Sequence, residues 1–281
     1  MILVVGAHGF LGRRVVQALG DAGMAYLGAS HSGGADLQID LSRPVEKLAL
    51  PGSVTHGVIL SSITALDECF QAPERTSQFN VTHTIQLIEH LVAQGAVPVF
   101  ISSDVVFDGA RGNYREQDEA TPTTKYGEQK RAVEAFLEQE VPNHVIVRLG
   151  KLYTLADDDN SPVSSLVRSL GSAEAVRAAT DQLLTPTLAE EVSNGIVELI
   201  KLKAQGAYHL TPLEGALTRF EVAVMVADAI GADRSYVSAC SIHDFDFAEP
   251  RPVNCTLNGE KFRDFTGMLL TPFGDVVKSM L

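Results

Sequence analysis

The chain has 281 residues, and 35 acidic against 22 basic side chains give a formal charge of −13 at pH 7 with a pI near 5.0. That length suits one large domain or two small ones, and 45% hydrophobic with 20% charged residues provides for a buried core rather than disorder. The negative excess argues against nucleic acid and anionic membrane surfaces as partners, because both attract clustered Lys and Arg.

Along roughly the first 150 residues, short β-rich runs alternate with amphipathic helical stretches, which predicts βαβ units and a parallel sheet. Strands are expected over Ile2 to Val5, Ala25 to Gly28, Leu37 to Ile39, His56 to Leu60, Val97 to Ile101 and His144 to Arg148. Leu11, Val15, Val16 and Leu19 share one face of the first helix, and longer helices are expected over Glu74 to Ala93 and Thr123 to Gln139. After Tyr153 the polar run from Asp157 to Pro162 marks a change of domain, followed by a short helical segment. A helix over Leu188 to Lys203 and a strand near Tyr208 to Leu210 rejoin the first unit, while helices near Phe220 to Ile230 and ending at Leu281 belong to a smaller lobe. The expected division is therefore 1–153 plus about 186–210 for one domain, and about 154–185 plus 211–281 for the other. Cys69, Cys240 and Cys255 are far apart, with no C-x-x-C or metal-ligand spacing, so no metal site is expected and a reducing compartment is the simplest setting. Met1 to Val5 is too short for a signal-peptide core and no run approaches 18 apolar residues, so a cytoplasmic, non-membrane protein is expected.

Gly6, Gly9 and Gly12 follow the first strand and open the first helix in the order G-A-H-G-F-L-G. Glycines permit a tight turn and close approach of a pyrophosphate to a helix N-terminus, although a turn without a ligand is the plainer alternative. A dinucleotide site specific for NAD should carry a carboxylate after the second strand, whereas Gly28 to Ser32 reads G-A-S-H-S. Ser30 and His31, with Arg13 or Arg14 nearby, fit a 2′-phosphate instead, which favours NADP(H) and leaves NAD(H) open. Tyr126 and Lys130 stand four apart in Y-G-E-Q-K, on one face of a helix, where an ammonium is expected to draw the phenol down from about 10. Such a pair is also common as a surface contact. Ser103 at the C-terminal end of a strand faces the crevice where ligands of open parallel sheets bind, and a hydroxyl there can bond a carbonyl that Tyr126 protonates. A turn cap is its alternative role.

These residues together resemble the extended short-chain dehydrogenase/reductase superfamily. The chain is similar in particular to the dTDP-4-dehydrorhamnose reductase group and its relatives, among them the methionine adenosyltransferase beta subunits. The resemblance runs through G-A-H-G-F-L-G from Gly6, S-S-D-V-V-F-D-G from Ser102, Tyr114 to Glu116, and Pro122 leading to Y-G-E-Q-K. It continues through D-Q-L-L-T-P-T from Asp181, G-A-Y-H-L from Gly206 and R-P-V-N-C-T-L from Arg251. It implies an α/β fold, a Rossmann-type doubly wound parallel sheet with a smaller interleaved C-terminal substrate lobe. It implies Ser103, Tyr126 and Lys130 as catalytic residues of an NAD(P)-dependent oxidoreductase, with hydride transfer to a sugar ketone and Tyr126 as the acid. The cofactor would lie against Gly6, Gly9, Phe10, Leu11, Gly12, Ser30, His31, Asp40, Leu41, Ser61, Ser62, Thr64, Tyr126 and Lys130. The substrate, a nucleotide sugar, would lie against Thr64, Asp104, Lys151 and Arg251, and a homodimer through helices of the cofactor domain is a family habit.

Three departures bear on substrate: Lys151 stands where the group carries Trp, Val105 where it carries Tyr, and Cys255 where Ser often follows R-P-x-N. Asp157 to Asp159 would repel a nucleotide diphosphate if they faced the cleft, and Lys151, Arg168, Arg177 and Arg251 are the cations available to offset them. The alternatives are a non-catalytic NADP-binding regulatory subunit, or an epimerase or dehydratase. Dehydratases usually need an Asp-Glu pair after the serine, and Ser103 is followed by Asp104 and Val105.

Overall fold

The computed structural model describes residues 1–31, 34–45, 48–156 and 161–278. Strand β1 (Ile2–Val5) leads into helix α1 (Phe10–Asp21), then β2 (Tyr26–Ser30), β3 (Leu37–Gln38) and β4 (His56–Ile59). Helices α2 (Leu66–Gln71) and α3 (Pro73–Ser77) precede a π-helical turn over Gln78–His83, α4 (Thr84–Ala93), β5 (Val97–Ser103), α5 (Lys125–Glu140) and β6 (Val145–Leu149). The expected single helix from Glu74 to Ala93 is thus divided, because the π turn rolls Asn80 and His83 inward. Short strands β7 (Leu152–Tyr153), β8 (Val176–Ala179), β9 (Leu183–Leu184) and β10 (Thr187–Leu188) surround α6 (Pro162–Gly171), before α7 (Ala189–Lys201) and β11 (Gly206–His209). The chain closes with β12 (Leu217–Thr218), α8 (Arg219–Ala229), β13 (Val237–Cys240), α9 (Glu260–Thr266) and α10 (Phe273–Lys278). Asp157 to Asp159 and the last three residues of the expected C-terminal helix lie outside the described residues.

Seven strands form one all-parallel sheet in the order β11-β6-β5-β4-β1-β2-β3. The chain therefore runs outward in both directions from the β1–β4 pair, and the crevice at that reversal is where ligands of such sheets bind. Strand periodicity builds two cores. Ile2, Val4, Val58, Val99 and Ile101 face α1 and α7 on one side, while Leu3, Val5, Ile59 and Phe100 face α4 and α5 on the other. A third core joins Tyr153, Val163, Leu170, Val222, Val226 and Phe273 around α6, α8 and α10. At roughly 1.5–3 kcal/mol for each fully buried large aliphatic or aromatic side chain, these cores dominate the stability of the fold. Bridges from Tyr114 to Leu257 and from Leu183 to Asn254 tie the segment after Arg251 to both parts. Among the described residues, no helix is long and apolar enough to cross a membrane.

Candidate active site

The sheet's C-terminal ends open into a cleft of ≈ 1460 Å³. At its first wall, Gly6 has φ +92°, and a Cβ there would sit 2.8 Å from Ser61 Oγ. A Cβ on Gly12 would sit 2.0 Å from the Gly6 carbonyl oxygen, so α1 begins against β1 at a distance only glycine allows. Gly9 caps α1 without a side-chain bond, and no acidic residue occupies the first turn. The N–H groups of that turn, with the positive end of a 12-residue helix, are left for an anion. Phe10 and Leu11 line the same wall.

Ser30, His31, Asp40 and Ser42 line the cleft beyond the end of β2, together with Arg13. Arg14 does not join them: it turns to α7, where its Nε bonds Glu190 Oε1 at 2.8 Å. Asp40 accepts from the Ser42 amide at 2.9 Å and pairs with Arg43 at 3.2 Å, bonds that hold its carboxyl below the ordinary range. The Leu41 side chain is in the core, and its carbonyl accepts from His83 Nδ1 at 2.7 Å, so Leu41 is not brought to the cleft.

Ser103 ends β5 and caps a 3₁₀ turn over Asp104–Val106, with its hydroxyl donating to Asp104 Oδ1 at 3.0 Å. Thr124 caps α5 by accepting from the Gly127 amide at 3.1 Å. Gly127 lets the helix start flush against that 3₁₀ turn, since a Cβ would fall 2.2 Å from the Val105 carbonyl oxygen. Tyr126, only 7% exposed, is thereby placed beside the end of β5 and lines the cleft together with Ser62. One turn on, Lys130 donates from Nζ to the Ile101 carbonyl at 2.8 Å, and Nζ lies 5.6 Å from the Tyr126 ring centre. Ser103, Tyr126, Lys130, Ser61, Ser62 and Thr64 all line the cleft. The expected lowering of Tyr126 is reversed among the chain's own groups. Burial pushes the phenol above its ordinary range, with the Asp104 charge acting the same way, and burial pushes Lys130 down to about 7 against the pull of Glu134.

At the far end, burial raises Asp104 to about 6, although Ser103 and Lys151 pull it the other way. Lys151 and Arg219 flank it, and Arg251 pairs with Asp67 at 2.6 Å while stacking on Phe247 at 4.5 Å. Among the described residues, Arg13, Lys130, Lys151, Arg219 and Arg251 line the cleft against only Asp40 and Asp104. In a chain of charge −13, the described cleft lining thus carries an excess of cations, which favours anionic ligands.

A family model described as the RmlD substrate binding domain matches residues 1–281, the whole chain. The protein belongs to the RmlD substrate binding domain family. It is 27% identical over 266 residues to a "Probable low-salt glycan biosynthesis reductase" of Haloferax volcanii, covering 91% of this chain and 88% of that protein. It is 26% identical to the dTDP-4-dehydrorhamnose reductase of Salmonella typhimurium, covering 100% of this chain and 96% of that protein. In architecture it matches a Bacillus anthracis dTDP-4-dehydrorhamnose reductase solved in complex with NADP, with TM-score 0.87 at 21% identity, covering 99% and 97% of the two chains. The RmlD family fold is thus an α/β sheet of seven parallel strands with smaller sheets in the C-terminal part.

Several residues that build this RmlD-family site escape sequence reading. Asn80, 3% exposed on the π turn, accepts from Ser62 Oγ at 3.1 Å and from the Ile63 amide at 2.8 Å. Its amide donates to the Ile63 carbonyl at 2.9 Å and to Gln129 Oε1 at 2.7 Å, fastening the loop after β4 to α5 next to Lys130. Arg219, whose Nε donates to Gln182 Oε1, and Gln182 itself line the cleft at the end where Lys151 stands. No periodicity marks Asn80 or Arg219. Gln182 sits in D-Q-L-L-T-P-T, where a motif was visible without a role.

Proposed function

We propose that the protein is an NADP(H)-dependent reductase of a keto group on a nucleotide-activated sugar, working in the cytoplasm. The observation that carries this reading is the meeting of Ser103, Tyr126 and Lys130 with the glycine loop in one cleft at the sheet's reversal point. When bound, the reduced nicotinamide supplies a hydride to the carbonyl carbon. The Tyr126 hydroxyl delivers its proton to the carbonyl oxygen, and the Ser103 hydroxyl, turned from Asp104 Oδ1 toward the substrate, holds that oxygen by a hydrogen bond, so C=O becomes CH–OH. Lys130, anchored at the Ile101 carbonyl, faces the phenolate that remains. Gly6, Gly9, Phe10, Leu11 and Gly12 would hold the pyrophosphate, Ser61, Ser62 and Thr64 would lie on the nicotinamide side, and Asp40, without Leu41, would lie on the adenine side. Ser30, His31 and Arg13, which line the cleft beyond β2, would hold the 2′-phosphate. The substrate lies against Thr64, Asp104, Lys151 and Arg251.

Tyr126→Phe tests this directly. Turnover with NADPH and a keto-sugar nucleotide should fall about 10²–10⁴-fold while the cofactor dissociation constant stays within a few-fold. Full activity in the variant would overturn the assignment. Cofactor binding by the wild type without turnover across such substrates would favour the regulatory-subunit reading instead.

A further inference from the structure

Beside the main cleft lies a second cavity of ≈ 250 Å³, and the two share a wall made by Lys151, Leu152, Pro162, Leu184 and Arg219. Two cations thus stand in a wall whose other members are apolar. Their place along the cleft is fixed by the sheet: Ser103 on β5 pairs with Leu149 on β6, and Lys151 follows two residues later. Gly150 lies so close that a Cβ on it would be 3.6 Å from Asp104 Oδ2. Lys151 therefore stands at the carbonyl-reducing end. Arg219 opens α8 and is held by Gln182 through both its backbone amide, at 3.3 Å, and its Nε.

Burial lowers both cations, Arg219 lowers Lys151 further, and Arg251 lowers Arg219 further. Asp104 is the carboxylate that favours both charges, and its own Oδ1 is already bonded by Ser103. Arg251 is answered by Asp67, so among the described residues Lys151 and Arg219 share the single carboxylate of Asp104, which leaves positive charge that a neutral sugar would not match, and partly desolvated charge is costly.

We propose that Lys151 and Arg219 bind an anionic substituent on the sugar ring itself, so that the substrate class is a nucleotide-activated keto sugar acid. This rests on the nucleotide-sugar reductase reading and narrows it. Lys151 and Arg219 act as specificity residues, and the carboxylate they hold orients the ring with its carbonyl toward Ser103 and Tyr126.

Titration calorimetry on the NADPH-loaded protein, with the glucose and glucuronic acid forms of both UDP and dTDP, isolates this effect. Within each pair the nucleotide and diphosphate are the same, and only a ring carboxylate replaces a hydroxymethyl group. The acid forms should bind about tenfold tighter or more, the scale of one charge-assisted hydrogen bond. Lys151→Met and Arg219→Gln should each bring the paired sugars to within about twofold, and Lys151→Arg should keep most of the preference. Equal affinity for acid and neutral forms in the wild type would overturn the inference. So would variants that weaken both forms equally, which would place these cations on the diphosphate. Binding of neither form of either nucleotide would remove the nucleotide-sugar reading itself, an outcome distinct from binding without preference.

Discussion

At the scale of single residues, the site depends on two absent methyl groups and one displaced proton. Gly12→Ala would press a Cβ to 2.0 Å from the Gly6 carbonyl, and Gly127→Ala would press one to 2.2 Å from the Val105 carbonyl. Both are backbone obstacles, so the helices must move rather than a side chain. Gly12→Ala is expected to weaken NADPH binding at least tenfold, measured by calorimetry, because α1's first turn would leave its anion-binding position. Gly127→Ala is expected to lower kcat much more than cofactor affinity, because it shifts Tyr126 relative to Ser103. Asp104 makes the third case. Its folded pKa of about 6 exceeds the ordinary value of 3.8, so the folded chain binds more protons than the unfolded one between about pH 4 and 6. Stability from this group is complete below the lower value and is lost as pH rises through the upper one. Melting temperatures of wild type and Asp104→Asn should therefore agree near pH 4 and separate above pH 6, the variant being the more stable.

At the scale of elements, α5 carries more than the Tyr126–Lys130 pair. Tyr126, Lys130 and Glu134 recur every four residues on its inner face, and Glu134, with no exposed surface, holds Arg148 of β6 by bonds of 2.9 and 2.8 Å. Arg148 also donates to the Glu116 carbonyl and to His209 Nε2, both at 3.3 Å, so that ring nitrogen is the acceptor and Nδ1 donates to the Tyr114 carbonyl at 3.0 Å. Burial and the guanidinium push His209 down to about 3 and keep it neutral. Glu134→Leu would strand a buried guanidinium and should cost about 3–5 kcal/mol in urea unfolding, with Arg148→Met in the same chain recovering part of the loss. The elements also show what a sequence makes legible. The glycine loop, Ser103 and the Tyr126–Lys130 pair were readable because their geometry is local: a turn, a strand end, one helical repeat. Asn80 was not, because a uniform 3.6-residue pattern does not announce a π turn, and its partner Gln129 lies 49 residues away. Arg219 gains its meaning from Gln182, 37 residues earlier. The protonation balance of Tyr126 is hidden from the sequence for a related reason: spacing displays the neighbour's charge but not the depth at which both are buried.

At the scale of the whole molecule, net charge and local charge have opposite signs. With five Lys or Arg lining the cleft against two Asp among the described residues, ligand entry should be electrostatically assisted despite the total of −13. The NADPH dissociation constant should rise about tenfold between 50 and 500 mM NaCl, over which the screening length shrinks to a few ångströms. A salt-insensitive constant would mean that these cations do not face the cofactor's phosphates. The cleft's ≈ 1460 Å³ exceeds the roughly 300–1,000 Å³ of an ordinary small-molecule pocket, consistent with two ligands lying end to end. The sheet beneath this cleft has a further property, which comes from its two outermost strands. One margin, β3, is two residues long, and at the other β11 returns late in the chain to cover the fully buried strand β6. Lys261 then donates to the Ala207 carbonyl at 2.6 Å, placing a charge on the final margin. A fragment ending at Tyr153 would instead present Val-Ile-Val-Arg-Leu with bare amides and carbonyls, a template for recruiting further chains. The late return of β11 is thus also this protein's protection against self-assembly into open-ended sheets.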